Sequence, residues 1–232
     1  MVLPLILAMT AAEMSAVSSL PSKVAYMACH FSPYTQGLAN LPEKLPEGSV
    51  LILNDRMPCR GHSPQLAAEQ LSRTSERLCC ESVLLDFQRP SDPESLAMAA
   101  VILEALPCPA AATPEYASKN CAVFLPPAPL HTDLTEYLHP WQGQEIWLEA
   151  ALCQEVATVT ESGCAFHTVF PVDGLEGGFY DKTLCCHYRT EIHSDQIRFT
   201  LFDTRSSLET KLKKAHGLGV TRAVGLYQEL GM

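Results

Sequence analysis

The segment Ser82-Val83-Leu84-Leu85-Asp86-Phe87-Gln88-Arg89-Pro90 brings an apolar run to an abrupt polar end. Asp86 and Gln88 are two residues apart, so on extended chain both point to the same face, with Leu84 beneath them. A carboxylate beside a carboxamide can orient a polar ligand. General acid–base work needs a group that carries a titratable proton, and a carboxamide has none. Acid chemistry at this face would require a carboxyl from elsewhere, and Glu149 and Glu229 are the candidates. Trp147 and Glu149 share strand parity, as do Tyr227 and Glu229. Aromatic faces beside a few directed polar groups are what a small-molecule site is made of. His30, Asn54, Asp55, Arg89 and Gln228 complete the list of polar residues placed to line such a cup.

Each of these residues also has a plainer role open to it. Asp86 can pair with Arg89 or Arg56, Gln88 can be a satisfied core amide, and Glu149 and Glu229 can be rim charges. Trp147 and Tyr227 can be core rather than platform. His30, His62 and His131 show no i, i+4 ligand spacing. A zinc set of Cys185, Cys186 and His187 is spoiled because neighbours on a strand face opposite ways. Neighbouring Cys29 and His30 make a poor nucleophile pair for the same reason. No Gly-rich phosphate loop, Gly-x-Ser-x-Gly elbow or dinucleotide fingerprint occurs, so no cofactor or metal is implied.

The elements that must position these side chains alternate between two types. Apolar runs at Leu3–Met9, Val24–Phe31, Ser49–Asn54, Ser82–Gln88, Cys108–Ala112, Ala122–Leu125, Ile146–Leu152 and Ala223–Glu229 read as buried parallel strands. Helical spacing falls at Ala11–Ser19, Pro64–Leu78, Pro93–Leu106 and Ser207–His216. Thr10 with Glu13 forms a capping-box signature. Ser63 caps the helix begun by Pro64, and Ser91 or Asp92 caps the one begun by Pro93. Asp203 and Arg205 are expected to cap and orient the last helix. Eight strand units in order, over 232 residues, predict a (β/α)8 TIM barrel. In such a barrel the chemistry sits at the strand C-termini. Residues 153–204 break the rhythm with four further strand-like runs punctuated by Gly163, Gly174, Gly177 and Gly178. They predict a β-rich insertion between strand seven and the last helix, within one barrel domain spanning 1–232.

Bulk properties narrow the partners. Hydrophobic residues make up 47% of the chain and charged residues 18%, a globular composition. The net charge is −10, and the densest basic run is Lys211-Leu212-Lys213-Lys214. Nucleic acid and anionic membrane surfaces are therefore not expected partners. Ten cysteines include the adjacent pairs Cys79-Cys80 and Cys185-Cys186 but no Cys-x-x-Cys and no disulfide-framework spacing. Most read as small buried hydrophobes in a reducing compartment. The N-terminal apolar run lacks a positive n-region and is broken by Pro4, so it reads as a first barrel strand rather than a leader. The expected location is cytoplasmic, with an extracellular one as the alternative.

Three stretches resemble the family 18 glycoside hydrolases, and most closely the chitinase-like catalytic domain of spore-germination and cortex-associated proteins. Residues 81–88 sit where that family carries its DGxDxDxE strand. Phe202-Asp203-Thr204-Arg205-Ser206-Ser207 through Lys211 is similar to the run that opens the family's last helix. Gly217-Leu218-Gly219-Val220 leading to Tyr227-Gln228-Glu229-Leu230-Gly231 is similar to its closing strand, with Tyr227 where a Trp is usual. The resemblance implies a TIM barrel and a carbohydrate ligand. It also implies that the catalytic motif is altered. The general-acid Glu becomes Gln88, the neighbouring Asp is kept as Asp86, and the Asp before it becomes Leu84. The family's Met-x-Tyr-Asp element gives way to Leu125-Pro126-Pro127. The expected function is binding of a glycan or another small ligand without hydrolysis. The alternative is an active glycosidase with a relocated carboxylate.

Overall fold

A computed structural model of the chain describes residues 3–169 and 177–230. Its centre is a closed parallel barrel of eight strands, β1 (Leu5–Met9), β2 (Val24–Phe31), β4 (Val50–Asn54), β5 (Ser82–Asp86), β6 (Ala110–Ala112), β7 (Ala122–Leu125), β8 (Ile146–Glu149) and β14 (Val220–Leu226). Strand β1 closes the ring, pairing with β14 on one side and β2 on the other. A two-residue strand, β3 (Leu38–Ala39), runs antiparallel to β2 outside the ring. The eight apolar runs of the sequence thus become the eight barrel strands.

Strand alternation sorts the side chains into layers. Ile6, Ala8, Ala25, Val50, Ile52, Leu84, Ala111, Ala122, Phe124, Trp147 and Val224 fill the interior. Four of these are alanine, which leaves room for Trp147 and Phe124 to cross the barrel. The alternate residues, such as Leu51, Leu53, Val83 and Leu85, face outward onto the helices. Gly225 is required by close approach, since a Cβ there would lie 2.5 Å from the carbonyl oxygen of Ala150.

The helices follow their sequence signals. Helix α1 (Ala11–Ala16) carries the Thr10/Glu13 capping box, α2 (Pro64–Arg77) is capped by Ser63, and α3 (Pro93–Ala105) by Asp92. Between them and the last long helix lies the short α4 (Leu134–Leu138). For α5 (Arg205–Gly217) the cap is Thr204, not Asp203 or Arg205. Asp203 has a different task. Its fully buried carboxylate accepts from Lys211 Nζ at 2.9 and 2.8 Å and from the Ser207 hydroxyl at 3.0 Å. The ring of helices is also incomplete, because neither residues 32–49, between β2 and β4, nor residues 113–121, between β6 and β7, contain a helix.

Five described strands between residues 154 and 202 form a second, antiparallel sheet in the order β10 (Gly163–Val169), β9 (Gln154–Thr160), β13 (Gln196–Phe202), β12 (Cys186–Ile192), β11 (Phe179–Asp181). Gly174, one of the expected punctuation points, lies outside the described residues. The sheet rests on the loop after β7, where Leu130 packs with Ala157, Cys186 and Leu201. All ten cysteines are free thiols. Among the described residues no helix is long and apolar enough to cross a membrane.

Removing one partner of a buried ion pair leaves the other charge unmatched, at about 3–5 kcal/mol. Asp203→Ala should therefore lower the urea-unfolding free energy by about that amount. The double change Asp203→Leu with Lys211→Met should recover most of the loss.

Candidate functional site

The C-terminal ends of the barrel strands form an open mouth, and Asp86 stands at its centre. Strand parity turns Asp86 inward above Leu84, beside Glu149 at the end of β8. Both line a hollow floored by Ala8, Ile52, Leu84, Phe124 and Val224. From this hollow two clefts diverge. One, of about 820 Å³, runs past Met27, His30, Asn40, Asn54, Arg56 and Gln88. The other, of about 550 Å³, runs past Thr113, Glu115, Phe124, Pro126 and Glu149. Asp86 borders both, so a ligand lying across the mouth would pass over it.

Gln88 lies two residues beyond the end of β5, yet its side chain returns to the mouth. The amide Nε2 donates to Asp86 Oδ1 at 3.1 Å. What holds it there is Asp55, whose two carboxylate oxygens accept from the backbone N–H groups of Gln88 at 3.0 Å and Arg89 at 2.8 Å. Arg89 then locks the loop by donating Nε to the Asp55 carbonyl at 2.7 Å and Nη2 to the Arg56 carbonyl at 2.8 Å. Arg89 is thus turned to backbone carbonyls and not to Asp86. Asn54 is likewise a brace: its amide donates to the carbonyls of Met27 and Cys29, where β2 shifts register. His30 sits on the cleft wall, with Nε2 3.1 Å from the Asn40 amide.

The electrostatics follow from burial. Desolvation raises the Asp86 carboxyl, the Gln88 amide opposes that shift, and the Asp55 charge adds to it. Glu149 is pushed up to about 7, first by burial and then by the charges of Asp86 and Glu229. Burial also raises Glu229 itself. Two inward carboxyls in one hollow disfavour double ionisation. Near neutral pH the hollow can therefore hold a proton on Glu149 beside a carboxylate at Asp86. That gives it both an acid and an anionic hydrogen-bond acceptor.

Four sequence expectations are corrected by placement. Tyr227 and Glu229 do not share a strand face, because β14 ends at Leu226 and Tyr227–Leu230 forms a helical turn, α6. Tyr227 is partly buried and packs against the outer apolar layer. Gln228 is drawn to Glu13 in α1. Trp147 shares the inward face of Glu149 but is 1% exposed, too deep to offer a platform. Its Nε1 donates to Glu145 at 3.0 Å, and the Arg222 guanidinium covers the ring at 4.3 Å, so Trp147 plugs the barrel's lower end. Residues the sequence reading passed over are Phe124, Met27, Thr113 and Tyr137. The parity of Ala122 and Phe124 carried the signal for the first. Nothing local signals Tyr137, whose hydroxyl donates to the Pro126 carbonyl at 2.8 Å near Glu149. Among the described residues no three His, Cys, Asp or Glu side chains converge to hold a metal ion.

No protein-family model and no curated protein sequence matches the chain. Solved structures do match it. The Bacillus cereus spore cortex-lytic enzyme SleL aligns with a TM-score of 0.62 at 11% identity, over 99% of this chain and 71% of its own. The Bacillus megaterium SleL aligns at 0.55 and 9% identity, over 96% and 70%. A GH18 chitinase from Cycas revoluta, solved as a double mutant with (GlcNAc)4, aligns at 0.54 and 11% identity, over 96% and 94%. The fold is that of the family 18 glycoside hydrolases. In this barrel the fourth strand is the one that delivers Asp86 and leads on to Gln88.

Glu149 provides a test of the mouth's electrostatics. Its folded pKa of about 7 lies above the ordinary 4.5, so the folded state binds the extra proton. Stability tied to this group is present below pH 4.5 and is lost as pH rises through 7. Glu149→Gln should therefore stabilise the protein at pH 8, by up to about 3 kcal/mol, and make little difference at pH 4.5. Urea unfolding of both proteins across that range measures it.

Proposed function

We propose that the barrel mouth is a carbohydrate site that binds a glycan without hydrolysing it. The observation that carries this reading is the carboxamide of Gln88 beside Asp86. The family 18 likeness puts the general acid at this position, and a carboxamide has no proton to give. The same group is a competent hydrogen-bond donor and acceptor for sugar hydroxyls. Its bond to Asp86 keeps it in place before any ligand arrives. The fold neighbours point to the ligand class: the Cycas chitinase holds (GlcNAc)4 in a variant with one glutamate changed to glutamine. Phe124 and Met27 supply apolar surface, and Asp86, Gln88, His30 and Asn40 supply polar groups along one continuous opening.

A second reading rests on Glu149. A carboxyl held at about 7 beside an ionised neighbour has the properties of a general acid. On this reading Glu149 protonates a leaving oxygen while Asp86 orients the substrate, and the chain hydrolyses glycosides from a relocated acid.

Calorimetry with (GlcNAc)4, alongside a reducing-end assay on the same oligomer, separates the two. The expected result is binding with no released ends. Asp86→Asn should weaken binding and leave the melting temperature unchanged or raised. Gln88→Glu alone should produce no turnover, because Leu84 and Pro127 also depart from the family pattern. Hydrolysis by the unmodified protein that drops about 10²–10⁴-fold in Glu149→Gln would establish the second reading instead.

A further inference from the structure

Among the described residues, strand β10 is an open sheet edge. The barrel is closed and so has no edge there, β3 is two residues long, and β11 at the far side of the second sheet is three. Among the described residues, β10 is the long exception. Its seven residues, Gly163–Val169, pair with β9 in unbroken antiparallel register from Gly163↔Thr160 to Val169↔Gln154. Among the described residues no strand lies against its other side, and each residue from Gly163 to Thr168 is exposed. Soluble proteins usually protect such edges with lysine, proline, a bulge or an inward charge. The sequence Gly-Cys-Ala-Phe-His-Thr-Val has none of these.

The sheet behind this edge is strongly two-faced. Register places Phe166, Val159, Ile197, Phe199, Tyr188 and Ile192 on one face. Arg198, Arg189 and Glu191 lie on the other. Leu130 and His131 cover only the end of the apolar face nearest the barrel. Phe166 remains 45% exposed, although its ring is stacked on His131 at 4.0 Å, which fixes its direction.

We propose that β10 is a dimerisation edge, at which two copies of this chain pair β10 with β10 antiparallel about a two-fold axis. The strand is self-complementary in that arrangement. Full overlap sets Phe166 opposite Phe166 of the second copy, Ala165 opposite His167, and Cys164 opposite Thr168. No charge meets its like, since even a protonated His167 faces alanine. For a chain of net charge −10, a neutral edge is where a second copy approaches at least electrostatic cost. Pairing satisfies the outward backbone groups of both strands and joins two five-stranded sheets into one of ten. The two apolar faces become continuous, with the Phe166 rings in contact across the axis. The ladder is roughly 24 Å long, which is short for a permanent interface. The dimer is therefore reversible and depends on concentration.

Sedimentation velocity over low to high micromolar protein tests this. The expected result is a monomer–dimer equilibrium. Phe166→Lys, which puts a charge at the centre of the pairing, should leave the protein monomeric throughout. Cys164→Lys repeats the test at a second exposed position, and circular dichroism reports whether each variant is folded. Ile192→Lys is the contrast, since Ile192 is 78% exposed on the same face but lies away from the edge. It should dimerise like the parent. A parent that stays monomeric at every concentration overturns the proposal. So does a dimer that survives both lysines on β10, or one broken by Ile192→Lys, which would mean packing face to face.

Discussion

Every feature of the mouth depends on β1 being hydrogen-bonded on both sides. Leu5–Met9 enters parallel between β14 and β2 and turns a curved sheet into a ring. Without that closure, Asp86 on β5 and Glu149 on β8 would line an open sheet, and no hollow would force their charges together. Closure also fixes what may lie inside. Ala8, Ala25, Ala111 and Ala122 are small because Trp147 and Phe124 occupy the same confined space. The lower end is stoppered by Trp147 under Arg222, which also pairs with Glu81 and donates to the Ser82 hydroxyl at 2.7 Å. The upper end is left as the one place where polar side chains can face inward and still meet water.

How much of this the sequence disclosed can be judged strand by strand. A parallel strand buried on both faces is a continuous apolar run, which is why all eight were legible, including the three-residue β6. Their C-terminal limits were less so. Tyr227-Gln228-Glu229-Leu230 follows Leu226 with no Gly or Pro between to mark a strand end, and periodicity alone cannot separate a short strand from a helical turn. The chain turns helical there, and both Leu230 and Tyr227 pack against the outer layer. In contrast, Asp86 and Gln88 lay within two residues of a strand end, where parity still holds, and both arrive at the mouth.

The residues flanking the site were legible by type but not by role. Asn54, Asp55 and Arg89 are polar residues at strand ends, and sequence position marks them as candidate ligand contacts. The structure spends them on backbone. Asn54 satisfies two carbonyls left by the register shift in β2, and Asp55 collects the N–H groups of Gln88 and Arg89. Buried carbonyls and amides need partners, and irregular chain at the end of a strand creates a local surplus of them. A polar residue at such a place is therefore drawn to the backbone before it is free to meet a ligand. That competition is three-dimensional, and nothing in residue spacing records it.

The same division of labour explains why the mouth keeps two carboxyls of opposite character. Asp86 accepts from the Gln88 amide, so its charged form is partly compensated although burial works against it. Glu149 has burial without a comparable donor and takes the charge of Asp86 in addition, so it is the group that holds the proton. The asymmetry does not come from the two side chains, which are chemically alike. One source is the Gln88 amide, placed by a loop that Asp55 and Arg89 hold, and another is the Glu229 charge, which acts on Glu149. Gln88 therefore does more than hydrogen-bond its neighbour. By favouring the anion at Asp86 it leaves the proton of the hollow to Glu149, across the barrel on β8.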